Sequence, residues 1–285
     1  MKLIKRITSV ILAAAAAAGL SGCSGGGKPG NTGDVVLNAG DKIAEITIEG
    51  YGTIKAKLFP DIAPLGVENF IALAKEGYYD GLKIHRVVEN CCIQGGSLNG
   101  DGTGGVPAVN DGKPLSTETS VDARNFYGAL GYADISGSIG TQFYIVNCKK
   151  TQDLSGYDVE KMKAKAAEYA TKLEGLAEED PARAELTAQN TKYTNMADFF
   201  SKATEDVSAK YATTGGYPFW DGNYTIFGQV YEGLDIVDKI SSVKLTTCNT
   251  GEVSRPVEDI IIESVKITEY APPAPEQSSS SKKKK

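Results

Sequence analysis

The sequence predicts a mainly β domain interrupted by one helical segment, and three observations predict it. Residues 43–49 and 53–59 alternate apolar and polar side chains, the period-two signature of a half-buried strand. Residues 155–212 instead carry Val159, Met162, Ala166, Tyr169, Leu173 and Leu176 at steps of three and four, the stripe of an amphipathic helix. Gly215-Gly216-Tyr217-Pro218 then returns the chain to sheet-forming sequence, which closes with residues 257–270.

A length of 285 residues allows one or two domains, and an apolar fraction of 41% supports a sizeable core. The net charge of −6 argues against a nucleic-acid partner, which calls for a basic stripe. The N-terminus reads as a targeting segment. Lys2, Lys5 and Arg6 precede an alanine-rich apolar stretch, residues 10–20. That stretch is shorter than the roughly 20 residues a membrane span needs. Leu20-Ser21-Gly22-Cys23 resembles the bacterial lipobox. The resemblance implies a signal peptide over residues 1–22, a lipid on Cys23, and residence on the outer face of the cell membrane; an ordinary secretory signal with an incidental cysteine is the alternative. Residues 23–40, rich in Gly, Asn, Ser and Asp, read as a flexible tether to a domain spanning residues 41–271.

Within that domain Ala44, Ile46 and Ile48 share one face of a first strand, Gly50-Tyr51-Gly52 makes a turn, and Ile54, Ala56 and Leu58 give the second strand of a hairpin. Pro64 opens a helix that runs to about Lys75, is cored by Val67, Phe70, Ile71 and Leu73, and stops at Gly77. Ile84 to Val88 is a short β-branched run containing Arg86 and the chain's single histidine, His85. In a regular strand Ile84, Arg86 and Val88 share one face, and His85 and Val87 the other. A second apolar run leads to Gln94, followed by Gly95 and Gly96.

Residues 97–127 lack periodicity and read as long loops, whereas 128–132 and 142–146 read as strands joined by a loop over 134–138. Inside the helical insertion, residues 155–212, Asp180-Pro181 marks a helix start, and Tyr193, Met196, Phe199, Phe200, Ala203, Val207 and Tyr211 outline one further helix. Residues 232–240 read as a short helix. The Ser/Lys-rich tail, residues 272–285, is expected to be disordered. Its terminal lysines are either solvated or drawn to an anionic surface. Beyond Cys23 the cysteines are Cys91, Cys92, Cys148 and Cys248. They allow three disulfide pairings, show no zinc-like spacing, and read most simply as free thiols.

His85-Arg86-Val87, then Gln94-Gly95-Gly96, then Gly100-Asp101-Gly102-Thr103-Gly104-Gly105 resemble the cyclophilin family of peptidyl-prolyl cis/trans isomerases. Leu58-Phe59-Pro60, Val67-Glu68-Asn69-Phe70, Gly77-Tyr78-Tyr79-Asp80-Gly81, Thr141-Gln142-Phe143-Tyr144-Ile145 and Tyr224-Thr225-Ile226-Phe227-Gly228-Gln229-Val230 agree with it. The resemblance covers roughly residues 42–150 and 215–270. It implies a closed eight-stranded antiparallel barrel capped by two helices, from which the helical insertion emerges between two later strands.

It also implies a chemistry. An X-Pro imide turns over a barrier of about 18–20 kcal/mol because its C–N bond is partly double. A catalyst need only favour the twisted state over both planar ones, with no cofactor or metal. Twisting makes the proline nitrogen a hydrogen-bond acceptor, and a guanidinium donates without losing its charge. By resemblance Arg86 is this catalytic donor. Gln94 and Gln142 hold the substrate backbone, Ala133 and Asp134 lie along its edge, and Tyr144 stands where a pocket phenylalanine is usual. Ile84, Cys91, Cys92, Trp220 and Tyr224 fall at further substrate-contact positions but depart from the family pattern. Cys91 and Cys92 replace a phenylalanine and a methionine of the proline socket, and Trp220 or Phe219 is a candidate to refill it. His85 reads as structural, since no proton is transferred. The implied partners are proline-containing unfolded polypeptides, secreted or of the envelope. A peptide-binding module or holdase with weakened turnover, or a scaffold that binds no peptide, are the competing readings.

Overall fold

The computed structural model describes residues 30–32, 35–133 and 138–273. The signal segment, Cys23, the first part of the tether, Asp134 and residues 274–285 of the tail lie outside the described residues. Among the described residues no helix is long and apolar enough to cross a membrane.

One eight-stranded antiparallel sheet organises the chain. Its strands are β1 (Lys42–Ile48), β2 (Gly52–Leu58), β3 (Ile84–Val88), β4 (Cys92–Gly95), β6 (Ala129–Tyr132), β8 (Phe143–Val146), β9 (Ile226–Glu232) and β12 (Ile262–Glu269). Their order is β12-β1-β2-β9-β6-β8-β4-β3. The pairs β5 (Leu115–Ser116) with β7 (Ser138–Ile139), on either side of β6 in the chain, and β10 (Leu245–Thr247) with β11 (Val253–Pro256), a hairpin, form two small two-stranded sheets.

The expected closure is not made. The sheet is an open half-barrel whose edge strands, β3 and β12, are not paired along their length; among the described residues the bridge Lys83 to Ile261 and the bonds of Ile84 N–H to the Ile260 carbonyl, Ile262 N–H to the Leu82 carbonyl and Gly81 N–H to the Ile262 carbonyl join their ends. The register of β3 against β4 is irregular. Ile84 opposes Gly95 and Arg86 opposes Gln94, so His85 is an extra residue, a bulge, in β3. A bulge bends its strand and breaks the ladder. It also reverses the expected alternation. Ile84 and Val87 both face the main core, while Arg86 lies on the opposite side with Val88.

The main core fills the concave side of the sheet. Helix α1 (Pro64–Lys75) covers it with Val67, Phe70 and Leu73, and α5 (Leu234–Ser241) with Ile236, Val237 and Ile240. Phe70 lies 5.1 Å from Tyr79, 5.1 Å from Phe227 and 5.8 Å from Phe143, ring centre to ring centre. Such aromatic contacts add about 0.5–1.5 kcal/mol each to area burial. Helix α1 has no side-chain cap of its own and no acid in its first turn. Glu118, from the long loop, accepts the Leu65 and Gly66 N–H groups instead, placing a negative charge at the helix N-terminus.

The insertion forms three helices: α2 (Val159–Glu174), α3 (Ala182–Ser201) and α4 (Glu205–Thr214). The single helix expected over 193–211 is broken because Thr204 accepts the Val207 N–H as an N-cap. Its apolar stripe divides accordingly. Met196 and Ala197 pack on Met162, with Tyr157 and Phe200 stacked at 4.6 Å. Val207 and Tyr211 pack on Phe126 of the barrel. Asp180 supports the start of α3 as expected, accepting the Ala182 N–H at 2.8 Å.

The insertion is locked down by Asp221. Its buried carboxylate accepts the Asn125 N–H at 2.8 Å and the Tyr211 hydroxyl at 2.9 Å, and pairs with Arg124 at 3.3 Å. Arg124 also donates to the Phe199 carbonyl at 3.1 Å and lies 4.7 Å from the centre of the Phe199 ring. At Gly222, with φ of 77°, an added Cβ would lie 2.5 Å from Phe199, so only glycine lets α3 approach this loop. Of the expected tether, residues 30–32 lie against the domain. Asn31 is fully buried and bonds to Arg124 backbone groups and Gln229. Replacing Asp221 by Ala strands the Arg124 charge and is expected to cost about 3–5 kcal/mol of unfolding free energy in a denaturant titration. A loss under 1 kcal/mol would contradict this lock.

Candidate active site

On the convex side of the sheet a second apolar cluster, including Phe59, Cys92, Ala129, Val146, Cys148 and Ile226, forms a floor. Above it opens a cavity of about 250 Å³. That is smaller than the roughly 300–1,000 Å³ of a small-molecule site, and suits one ring-sized group. Cys92, Ala133, Tyr144, Trp220 and Tyr224 give its apolar lining, while Arg86, Gln94 and Gln142 give its polar side.

The polar side is one connected rail. Arg86 on β3 and Gln94 on β4 are cross-strand partners. Arg86 Nη1 donates to Gln94 Oε1 at 3.3 Å, Gln94 Nε2 to Gln142 Oε1 at 3.0 Å, and Gln142 Nε2 to the Gly102 carbonyl at 2.9 Å. Gly96, with φ of 84°, lets the strand turn against Thr141, whose carbonyl oxygen would be 2.6 Å from a Cβ there. Glu252, in the loop between β10 and β11, grips the other edge of Arg86, accepting from Nε at 2.8 Å and from Nη2 at 2.9 Å. A bidentate carboxylate fixes the guanidinium plane. Bonding to Glu252 raises the Arg86 pKa further, and Arg86 in turn holds the Glu252 carboxyl below its usual range. The guanidinium is therefore charged, held by partners on two sides, and borders an apolar socket.

The aromatic side is equally fixed. Tyr144 packs on Trp220 at 5.0 Å and on Tyr224 at 6.0 Å, and Trp220 also packs on Tyr217 at 4.7 Å. The Tyr144 hydroxyl donates to Asn125 Oδ1 at 2.7 Å, so the buried phenol is satisfied. Asn125 is itself held by Asp221, which links the pocket wall to the insertion.

A sequence model of the cyclophilin type peptidyl-prolyl cis-trans isomerase family matches residues 43–163 and 183–267. The chain belongs to this family. Curated relatives agree. A putative peptidyl-prolyl cis-trans isomerase of Staphylococcus saprophyticus is 32% identical over 81% of this chain and 94% of its own length. One of Staphylococcus haemolyticus is 32% identical over 79% and 90%. Among solved structures, a cyclophilin type peptidyl-prolyl cis-trans isomerase of Cryptosporidium parvum aligns with a TM-score of 0.50 at 19% identity, covering 82% of this chain and 99% of that one. This last likeness concerns the fold alone.

Of the residues expected at the cyclophilin's site, Arg86, Gln94, Gln142, Cys92, Ala133, Tyr144, Trp220 and Tyr224 come together around the one cavity. Two do not. Ile84 is turned into the main core by the His85 bulge. Cys91 sits in the floor cluster behind the cavity, its N–H donating to Asn147 Oδ1 at 2.7 Å. Asp134 lies outside the described residues. Trp220 lines the cavity against Tyr144, whereas Phe219 points away, partly exposed, against Tyr157. Cys91, Cys92, Cys148 and Cys248 are free thiols. Cys92, hydrogen-bonded to Cys91 and fully buried, is pushed well up and stays protonated. Among the described residues no group of three or more His, Cys, Asp or Glu is arranged to hold a metal ion. Sequence reasoning missed Glu252, Asn125 and Asp221. An acidic residue in a Gly-containing turn, 249–252, was the one available sign of the first.

His85 lies under the glycine-rich loop, with neither ring nitrogen in a hydrogen bond of normal geometry. Burial lowers its pKa from 6.5 to about 4, the Lys83 carbonyl opposing this and the Arg86 charge adding to it. The unfolded chain thus takes up this proton first as pH falls. Stability contributed by the neutral ring is intact above pH 6.5 and is lost progressively down to about pH 4. The loss amounts to about 3 kcal/mol. Urea titrations across this range should show that slope in the parent and a flatter one in His85→Leu. Equal slopes would remove His85 from the acid response.

Proposed function

We propose that this cyclophilin catalyses cis/trans isomerisation of X-Pro bonds in secreted or envelope polypeptides. One observation carries the reading. A guanidinium held on two edges, by Glu252 and Gln94, faces a ring-sized aromatic socket. The proline ring enters between Tyr144, Trp220 and Tyr224, with Cys92 and Ala133 below. As the imide twists, delocalisation is lost and its nitrogen gains a lone pair. Arg86 donates to that nitrogen, while Gln94, Gln142 and the Ala133 edge hold the flanking peptide groups still. The donor is already oriented and charged, so little reorganisation is required at the twisted state. No bond is made or broken, and the buried thiols and His85 take no part.

The cellular setting is inferred from the N-terminus. Lys2, Lys5, Arg6 and the Leu20-Ser21-Gly22-Cys23 sequence support a lipid on Cys23 and residence on the outer face of the membrane. Fatty-acid labelling of the parent that is absent from Cys23→Ser supports this. Labelling that persists in the variant rejects it.

A second reading, a holdase with weak turnover, is favoured by Cys91 and Cys92 alone. A lost phenylalanine removes on the order of 1.5–3 kcal/mol of apolar burial. The Tyr144–Trp220–Tyr224 wall restores apolar surface to the same socket, which favours turnover.

NMR exchange on a capped X-Pro tetrapeptide tests the catalytic reading. The full-length chain should accelerate exchange, and Arg86→Ala should reduce kcat/KM by about a hundredfold or more, the scale of losing one preorganised donor. Acceleration unaltered in Arg86→Ala, or peptide binding with no acceleration by the parent, would reject the mechanism. Glu252→Gln keeps shape but weakens the clamp. Because the pair is partly exposed and screened, the expected loss is about 1 kcal/mol, roughly fivefold in kcat/KM. No change would show that the clamp is idle.

A further inference from the structure

The proline socket does not stand alone on its face of the sheet. Trp220 and Tyr224 form part of its wall and also part of a neighbouring groove of about 820 Å³. The far wall of that groove is helix α3 of the insertion. Ala184, Ala188, Thr191 and Asn195 follow one another along the lining face at helical spacing. From Ala184 to Asn195 the helix runs about 17 Å at 1.5 Å per residue. An extended peptide covers that distance with about five residues at roughly 3.4 Å each.

The groove's chemistry suits a polypeptide backbone more than one particular side chain. Its helical wall is shallow where Ala184 and Ala188 stand and offers hydroxyls at Thr187 and Thr191. Thr117 and Thr119 line it from the barrel's long loop. Arg183, Glu185 and Lys192 mix both charge signs, so no strongly charged ligand is selected. The geometry is also built in. Asn195 Nδ2 donates to the Gly222 carbonyl at 3.0 Å and to Asn223 Oδ1 at 3.3 Å, stapling α3 to the loop that carries Trp220. The Arg124–Asp221 pair and the Gly222–Phe199 approach hold the same two elements from behind.

We propose that helix α3 forms a peptide subsite continuous with the proline socket, binding about five extended residues on one side of the target proline in unfolded clients. This deepens the isomerase reading and rests on it for the position of the proline. The insertion is then a device for gripping polypeptide, and the specificity it adds is for length and extension.

The test uses the full-length chain with three peptides: a capped X-Pro tetrapeptide, and the same peptide lengthened by five Ala, Ser and Thr residues on its amino or its carboxyl side. Two readouts are taken, kcat/KM from NMR exchange and affinity from fluorescence of Trp220, the chain's single tryptophan. Ala188→Phe obstructs the groove at an exposed position, and Thr191→Tyr obstructs it one turn on. One of the lengthened peptides should gain at least fivefold in kcat/KM and affinity over the tetrapeptide. In both variants that ratio should fall to within twofold of unity. Turnover of the tetrapeptide with no gain from either extension would overturn the subsite, as would a gain that survives both obstructions. If no peptide is turned over, yet the lengthened one binds fivefold tighter and the obstructions abolish this, the isomerase reading fails and the groove stands.

Discussion

Asp221 is the buried carboxylate on which barrel, insertion and pocket wall converge. Burial raises its pKa, but Arg124, Asn125 and Tyr211 surround it with donors that favour the charge. A buried ion pair seldom adds much net stability over well-packed apolar groups, since desolvation offsets most of the attraction. Its use here is geometric. Arg124 belongs to the long loop, Tyr211 to α4, and Asn125 passes the constraint on to the Tyr144 hydroxyl. Each partner would be left unsatisfied in a low-dielectric interior if the others moved. The insertion is therefore held in one place against the face where the proline socket opens.

The socket joins two unlike surfaces. On one side a chain of polar contacts runs from Glu252 through Arg86, Gln94 and Gln142 to the Gly102 carbonyl, each group orienting the next. On the other, aromatic rings pack edge to face. Cys92 adds little bulk to the socket, and Trp220 supplies an aromatic wall from a different element. The same indole also lines the groove beneath α3.

Much of this was legible in the sequence because it is local. Alternation gave β1 and β2, Pro64 and the 3.6-residue pattern gave α1, and the motif around Arg86 brought most of the socket to one place. What was hidden depends on pairing between distant segments. The bulge at His85 has no signature in a run of β-branched residues, yet it moves Ile84 from the site face to the core. The hairpin of β10 and β11 is too short for a periodic signal, and with it went Glu252. Asp221 sits between Trp220 and Gly222, where nothing in the sequence says that its partners lie in Arg124 and Tyr211. Asn31 looked like tether because its neighbours are glycine and polar residues, and its burial is decided by Arg124 and Gln229.

We propose that catalysis rests on a guanidinium whose plane is fixed by Glu252. A double-mutant cycle in kcat/KM with Arg86→Lys and Glu252→Gln tests it most directly, because an ammonium cannot make the bidentate contact. If Glu252 acts by orienting Arg86, adding Glu252→Gln to Arg86→Lys changes kcat/KM by less than twofold. If the two losses simply multiply, Glu252 acts elsewhere and the account of the site is wrong.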